Sequence, residues 1–271
     1  MWTMFKFEWN RLWHSRSMWI ACIITAAIIV SDFIECLQLG NMERSIYYSW
    51  LGVNNENYTG RYFFLSLPIL TSLGYSWSAC SDRMSGYINQ IVTRTSRFKY
   101  FTAKFMASFT SGGMIFSGAL LLHLMLLATM YPNLNPVPGD LNSFMDPFRF
   151  CSDLFYTNTY LFVLVWLLTA FAWGGAMAGI SLAAGMIMKK SAVTPLVSFI
   201  IFTCQEIVAT FVQVRYNVLL KETYLCMSWN EMLYADPGTR NPEDFVWGNI
   251  AVIIAVVAII YFMRGKKYEC L

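Results

Sequence analysis

Charge is scarce in this 271-residue chain: Asp, Glu, Lys and Arg make up 13% of it, against about 25% in soluble domains. So few charges cannot wrap a water-soluble core, and 57% hydrophobic residues with 17% aromatics point to lipid as the solvent. Catalytic signatures are missing as well. The phosphate-cradling pattern GxxxxGK[ST] does not occur, and no Gly-rich loop joins a strand to a helix, so no nucleotide-binding domain is expected. HExxH is absent, as is any Cys/His cluster with metal-ligand spacing, so no metal or cofactor is expected in the chain itself. Histidine occurs only at His14 and His123, which are expected on opposite membrane sides. That argues against a Ser–His protease, despite Gly179-Ile180-Ser181 in an apolar stretch. The chain reads as no enzyme. It also lacks internal repeats and low-complexity tracts, so an inverted-repeat carrier design has no support.

What is there is apolar length. Uncharged or nearly uncharged runs cover Ser17–Leu39, Tyr62–Ser81, Phe105–Met130, Leu154–Met188, Ser191–Val214 and Phe245–Met263. Each suffices for about 20 helical residues across a hydrocarbon core of roughly 30 Å. The expected fold is all-α: a polytopic membrane protein forming one permease domain over residues 1–271. Its six transmembrane helices are expected at 17–39, 62–81, 105–130, 158–188, 193–214 and 245–263. If both termini are cytoplasmic, thirteen of the nineteen Lys and Arg lie inside, accompanied only by the acids Glu8, Asp82 and Glu269. A basic excess in short inner loops fixes orientation. The expected location is a bacterial cell membrane, crossed several times. The formal net charge of +3 hides a strongly positive inner face, suited to anionic lipid and not to nucleic acid.

All seven cysteines read as unpaired. Only Cys151 and Cys226 fall in outer loops where a disulfide is chemically possible, and sequence cannot decide that pairing. The basic N-terminus followed by Ser17–Ser31 mimics a signal peptide, but five further spans favour an uncleaved first helix.

Between the spans, residues 1–16 are expected to form an interfacial helix. Trp2, Phe5, Trp9, Leu12 and Trp13 recur at helical spacing, with Lys6, Glu8, Asn10, Arg11 and His14 on the other face. Such a helix lies in the inner headgroup plane. In the cytoplasmic loop 82–104, Met84, Ile88, Ile91 and Val92 make a short apolar stripe, followed by a basic turn at Arg94, Arg97 and Lys99. That pattern predicts a surface helix, serving either to set topology or to dock a cytoplasmic partner. Small residues four apart (Ser108 and Gly112, Gly113 and Ser117, then Gly175, Gly179 and Ala183) allow close helix approach, within the bundle or between subunits. The outer segment 215–244 carries Trp229, Met232, Leu233 and Tyr234 among charges, which predicts interfacial or re-entrant helices.

The loop also carries a resemblance. The run Asp82-Arg83-Met84-Ser85-Gly86-Tyr87-Ile88, then Arg94-Thr95-Ser96-Arg97, Tyr100 and Lys104, resembles the first cytoplasmic loop of ABC-2-type exporter permeases. It is most similar to those of Gram-positive bacteria that handle peptide antibiotics and bacteriocins. The amphipathic N-terminus, six spans, tight Lys189-Lys190 turn and long outer segment fit the same family across essentially the whole chain. The resemblance implies a half-transporter, in which two permease copies, identical or related, each bind a separate cytoplasmic ATPase subunit. Asp82 to Ile88 would form the coupling helix that docks on the ATPase, with Ile91 extending its apolar face and the 1–16 helix packed nearby as an elbow. ATP and magnesium would belong to that partner. The family has no catalytic residues in the permease.

Three acids fall within apolar stretches. Asp32 and Glu35 lie three apart on one face of the first span, in the outer leaflet, and Glu206 lies near or just beyond the midplane of the fifth. Buried charge is costly in lipid, so such groups usually face a bundle or a cavity. They are candidate translocation-path residues attracting a cationic peptide or amphiphile; the alternatives are an interfacial helix end for Asp32 and Glu35 and a structural glutamate for Glu206. The expected function is the membrane subunit of an ATP-driven exporter of an amphipathic or cationic peptide, or of lipid or drug. The rival readings are an ion-coupled secondary transporter and a non-transporting membrane sensor or scaffold.

Overall fold

The computed structural model describes residues 2–39, 45–53, 57–138, 145, 149–216, 226–233 and 241–266. Helices α1 (Trp2–Trp13), α2 (Arg16–Gln38), α3 (Ile46–Ser49) and α4 (Tyr58–Leu73) open the chain. Two short helices, α5 (Ser78–Met84) and α6 (Tyr87–Val92), precede the long α7 (Arg97–Leu127). Then come α8 (Ser152–Thr157), α9 (Thr159–Gly185), α10 (Thr194–Tyr216, led by a 3-10 turn at Ser191–Val193), α11 (Trp229–Met232) and α12 (Pro242–Lys266). No strand occurs among the described residues.

Five helices, α2, α7, α9, α10 and α12, are long and apolar enough to cross a membrane. "Inner" and "outer" below follow the charge bias of the loops. The second apolar stretch departs from the single helix expected over 62–81: α4 stops at Leu73, residues 74–77 turn, and α5 starts at Ser78. At 1.5 Å per residue α4 is about 24 Å long, short of a roughly 30 Å core. The turn has a local cause. The Gly74 carbonyl accepts from Ser17 at 3.2 Å, the Trp77 indole donates to Ser17 Oγ at 2.7 Å, and Tyr75 reaches Glu8. The chain thus leaves the helix to bind the α1–α2 corner. Two further expectations shift. α7 begins at Arg97, eight residues before the expected 105: Arg97 and Lys99 face out, while Tyr100, Phe101, Ala103 and Lys104 on the other side of these turns are buried against protein. The single surface helix expected over Met84 to Val92 is two helices, broken at Gly86, whose φ of 71° is the left-handed backbone that glycine adopts without strain.

The α7–α9 pair forms the centre. A Cβ on Gly112 would lie 2.4 Å from the Gly174 carbonyl oxygen, and one on Gly174 would lie 2.6 Å from that of Gly112. Gly113 sits against Phe171, Gly175 under the Phe109 ring, and Gly179 against Val257 of α12. The small-residue rows read from sequence are therefore used within the chain. Pro68 lies inside α4, where it has no N–H to offer the preceding turn. Hydroxyls tie this region to its neighbours: Ser198 Oγ of α10 donates to the Pro68 carbonyl at 2.8 Å, and Ser181 of α9 accepts from the Ser198 N–H at 3.3 Å. Toward the outer end, Phe116, Trp166, Trp173 and Trp229 pack mostly edge to face, the Phe116–Trp229 centroids being 4.8 Å apart. This contact seats α11 over α7 and α9, with Met232 and Leu233 buried. Of the predicted outer segment 215–244, residues 217–225 and 234–240 lie outside the described residues. Cys151 and Cys226 carry free thiols, as do the other described cysteines.

Candidate functional site

Four ionisable side chains from three helices converge at the inner end. Glu8 and Arg11 come from α1, Asp82 from α5 and Lys104 from α7. Lys104 Nζ lies 2.5 Å from Asp82 Oδ2 and 3.2 Å from Glu8 Oε2, and the Arg11 guanidinium binds Asp82 through two nitrogens at 2.9 and 3.1 Å. Tyr75 donates to Glu8 at 2.5 Å and Tyr100 to Asp82 at 2.7 Å, and both rings sit 5.4 Å from the Lys104 ammonium. Glu8 and Lys104 are 0% exposed and Asp82 2%; of the four, Arg11 reaches water. Burial alone would raise the Asp82 carboxyl, but Lys104 and Arg11 outweigh it and hold it below the usual carboxylate range. Two acids and two bases balance, which is what permits such a cluster inside protein.

Sequence placed Glu8 on the polar face of an amphipathic helix, and the helix does present its aromatic side outward. Trp2, Phe5, Trp9, Trp13 and Trp19 form a ladder with successive centroids 5.7–6.1 Å apart, on the side away from Glu8 and Leu12, which are fully buried. Of the residues expected on the polar face, Lys6, Asn10 and His14 stay exposed; Glu8 and half-buried Arg11 turn into the bundle together with Leu12, which leaves the expected aromatic stripe.

The loop residues expected to dock an ATPase divide. Asp82 and Ile88 are buried, the latter at 1% exposure. The Arg83 guanidinium donates to the Met186 and Met188 carbonyls just beyond the end of α9, and Cys80 Sγ donates to Met188 O at 3.1 Å. Gly86, Tyr87 and Ile91 are half-buried, Tyr87 lying under Arg11. Met84, 60% exposed, and Ser85 face outward. So α5 is held at two points: by α1 and α7 on one side, and by the α9–α10 turn on the other.

A second polar cluster lies in the outer half. Asp32 is fully buried beside His123 of α7, with Oδ2 and Nε2 3.2 Å apart. The Leu51 N–H donates to His123 Nδ1 at 3.2 Å, and the Asn57 amide donates to Cys36 Sγ at 3.0 Å and to Asp32 Oδ1 at 3.3 Å. Glu35 goes elsewhere: its carboxylate accepts the N–H groups of Tyr58 and Thr59, at 2.9 and 3.0 Å, at the start of α4. Glu35 is therefore a helix cap supplied from a neighbouring helix. Replacing it with Ala is expected to cost about 1 kcal/mol, read as a lowered midpoint of thermal unfolding in detergent, with Glu35→Gln losing less. Below these groups, an open groove of about 500 Å³ runs between α2, α4 and α10, lined by Ile28, Ser31, Thr59, Tyr62, Ser66 and Phe199 among others. Glu206 is half-buried on α10, two turns beyond Phe199 on the same face. The candidate path acids thus take three different positions.

Sequence reasoning gave no role to Glu8, Lys104, Tyr75, Cys36 or His123. Glu8 carried a signal, as the one acid in a basic aromatic segment, and so did Lys104, which closes the loop motif at the edge of an apolar run. Their meeting depends on the tertiary fold. No family model, curated protein or solved structure matches this chain.

Proposed function

We propose that this chain is the membrane-spanning permease subunit of an ATP-driven exporter, with the energy supplied by a separate cytoplasmic ATPase that docks on α5 and α6. The observation that carries this reading is the double anchorage of α5. The buried cluster of Glu8, Arg11, Asp82 and Lys104 ties it to α1 and α7, and Arg83 ties it to the end of α9. A push on such a segment passes directly into the α7–α9 pair, since packed helices transmit displacement and do not absorb it. In this reading α1 is the elbow and α5–α6 the coupling element, α4 with its continuation serves as the sixth crossing, and the permease works as a homodimer or with a related copy. An amphipathic or cationic peptide, or a lipid or drug, is the substrate class, which the open groove between α2, α4 and α10 suits.

The exposed side chain for docking is Met84, so Met84→Asp is the informative variant; Ile88→Asp would place a charge in the core. Affinity purification from native membranes in mild detergent should recover a Walker-motif ATPase with the wild-type chain and lose it with Met84→Asp, at equal yield of the chain. Recovery of the same ATPase with both would remove α5 as the docking site. The ion-coupled carrier stays as a second reading because Asp32 and His123 form a buried ionisable pair inside the bundle. It predicts substrate flux through the purified chain alone under an ion gradient.

A further inference from the structure

Asp32 and Cys36 lie one turn apart on the same face of α2, and His123 faces them from α7. All three are buried, at 0%, 6% and 0% exposure. One ligand atom from each, a carboxylate oxygen, a thiol sulfur and an imidazole nitrogen, lies within 4.8 Å of the other two. Two of these atoms lack what buried polar atoms ordinarily have. Asp32 Oδ2 and His123 Nε2 are 3.2 Å apart without the alignment of donor and acceptor, and neither has a hydrogen-bond partner among the described residues. Leaving both unsatisfied in a dry interior is costly. A shared cation satisfies both at once, because two donors on one tetrahedral metal sit about 3 to 3.5 Å apart when each bond is about 2.0–2.2 Å.

We infer that Asp32, Cys36 and His123 bind one divalent cation of the zinc class in the outer half of the bundle. The donor set selects the metal. Thiolate and imidazole together disfavour the hard cations magnesium and calcium, whereas nitrogen, sulfur and a single carboxylate suit zinc. Three protein donors leave the fourth tetrahedral position open. Half-buried Asn57 donates its amide to both Cys36 and Asp32, steadying two of the donors and leaving the fourth position to water. The metal joins α2 to α7, near the Tyr131 hydroxyl of the segment just past α7, which donates to the Cys36 carbonyl at 2.9 Å.

Ligation has a consequence for the outer surface. With the metal on Nε2, neutral imidazole carries its proton on Nδ1. That atom now accepts the Leu51 N–H, and two N–H groups cannot share the contact. Loading therefore releases Leu51, in the segment 50–53, while the Trp50 indole remains bonded to the Leu120 carbonyl at 2.9 Å. The cation staples two helices and loosens the segment that covers them. This inference requires no ATPase and stands or falls apart from the exporter reading.

The test uses the full chain purified in detergent, stripped with a chelator and titrated with Co²⁺, then with Zn²⁺. Wild type should take up one equivalent of Co²⁺ with a thiolate-to-cobalt charge-transfer band and tetrahedral visible absorption, displaced stoichiometrically by Zn²⁺. Cys36→Ser should lose the charge-transfer band, and Asp32→Asn and His123→Gln should each weaken binding at least about tenfold. Hydrogen exchange at Leu51 should quicken on loading. Absence of saturable binding to wild type, persistence of the band in Cys36→Ser, or unchanged protection at Leu51 would each overturn the proposal. If Cys36→Ser or His123→Gln fails to elute as a single species, the Zn²⁺-induced rise in the unfolding midpoint decides: it is expected in wild type and absent in Asp32→Asn, and an equal rise in both would contradict the site.

Discussion

Lys104→Met should destabilise the protein by about 3–5 kcal/mol, the range found when one partner of a buried ion cluster is removed. The methionine fills the same space, so the loss is electrostatic. Two acids, Asp82 and Glu8, would be left with only Arg11 to answer both, and Arg11 stands 3.5 Å from Glu8. The variant is expected to accumulate poorly and to unfold at a markedly lower temperature in detergent. Adding Asp82→Asn removes the uncompensated charge and should recover a large part of the loss, because Arg11 then pairs with Glu8 alone. Such a recovery separates charge imbalance from simple misfit. A Lys104→Met protein as stable as wild type would contradict the buried cluster.

A comparably large effect is expected at the centre of the bundle. A Cβ at Gly112 would meet the Gly174 carbonyl oxygen at 2.4 Å and Ala178 Cβ at 2.6 Å. Backbone on the facing helix cannot swing aside, so α7 and α9 must separate along their tightest contact, and overpacking of this kind costs about 1–3 kcal/mol or more. Gly118, six residues along the same helix, is the internal control: nothing lies within 4 Å of a Cβ added there. Gly118→Ala should leave stability unchanged or raise it by roughly 0.5–1 kcal/mol through helix propensity. The two alanines, introduced separately and followed by thermal unfolding, should therefore move the midpoint in opposite directions. Equal shifts would mean that the α7–α9 crossing is looser than described.

The contrast between what hydropathy finds and what it misses follows from the range of each interaction. The long apolar helices are legible because about twenty consecutive residues each carry the same local signal, and five of the expected spans return with ends shifted by one to three residues, except that α7 starts eight residues early. The break after Leu73 is not legible from charge, because Gly74 to Trp77 carry none and leave the uncharged run unbroken, while the partners they turn to lie on the α1–α2 corner. Lys104 misleads in the other direction. As a charge at the end of a basic stretch it reads as loop, yet its first turns are helical and its ammonium is buried. The glycine rows were visible, and whether they served this chain or a second copy depended on which helix faced them. Asp32 and Glu35 share a face by spacing, but one turns to His123 and the other caps α4. Their roles are set by residues on α4 and α7 that no local pattern connects to them.

ATP hydrolysis by the assembly purified from native membranes and placed in lipid nanodiscs tests the central claim most directly. Wild type should hydrolyse ATP through a co-purified subunit, since the chain itself has no nucleotide-binding motif. Met84→Asp, folded and recovered at the same yield, should show no hydrolysis above background. A wild-type preparation that retains other subunits yet hydrolyses no ATP would contradict the account, and would turn attention to Asp32 and His123 as the elements of an ion-driven carrier.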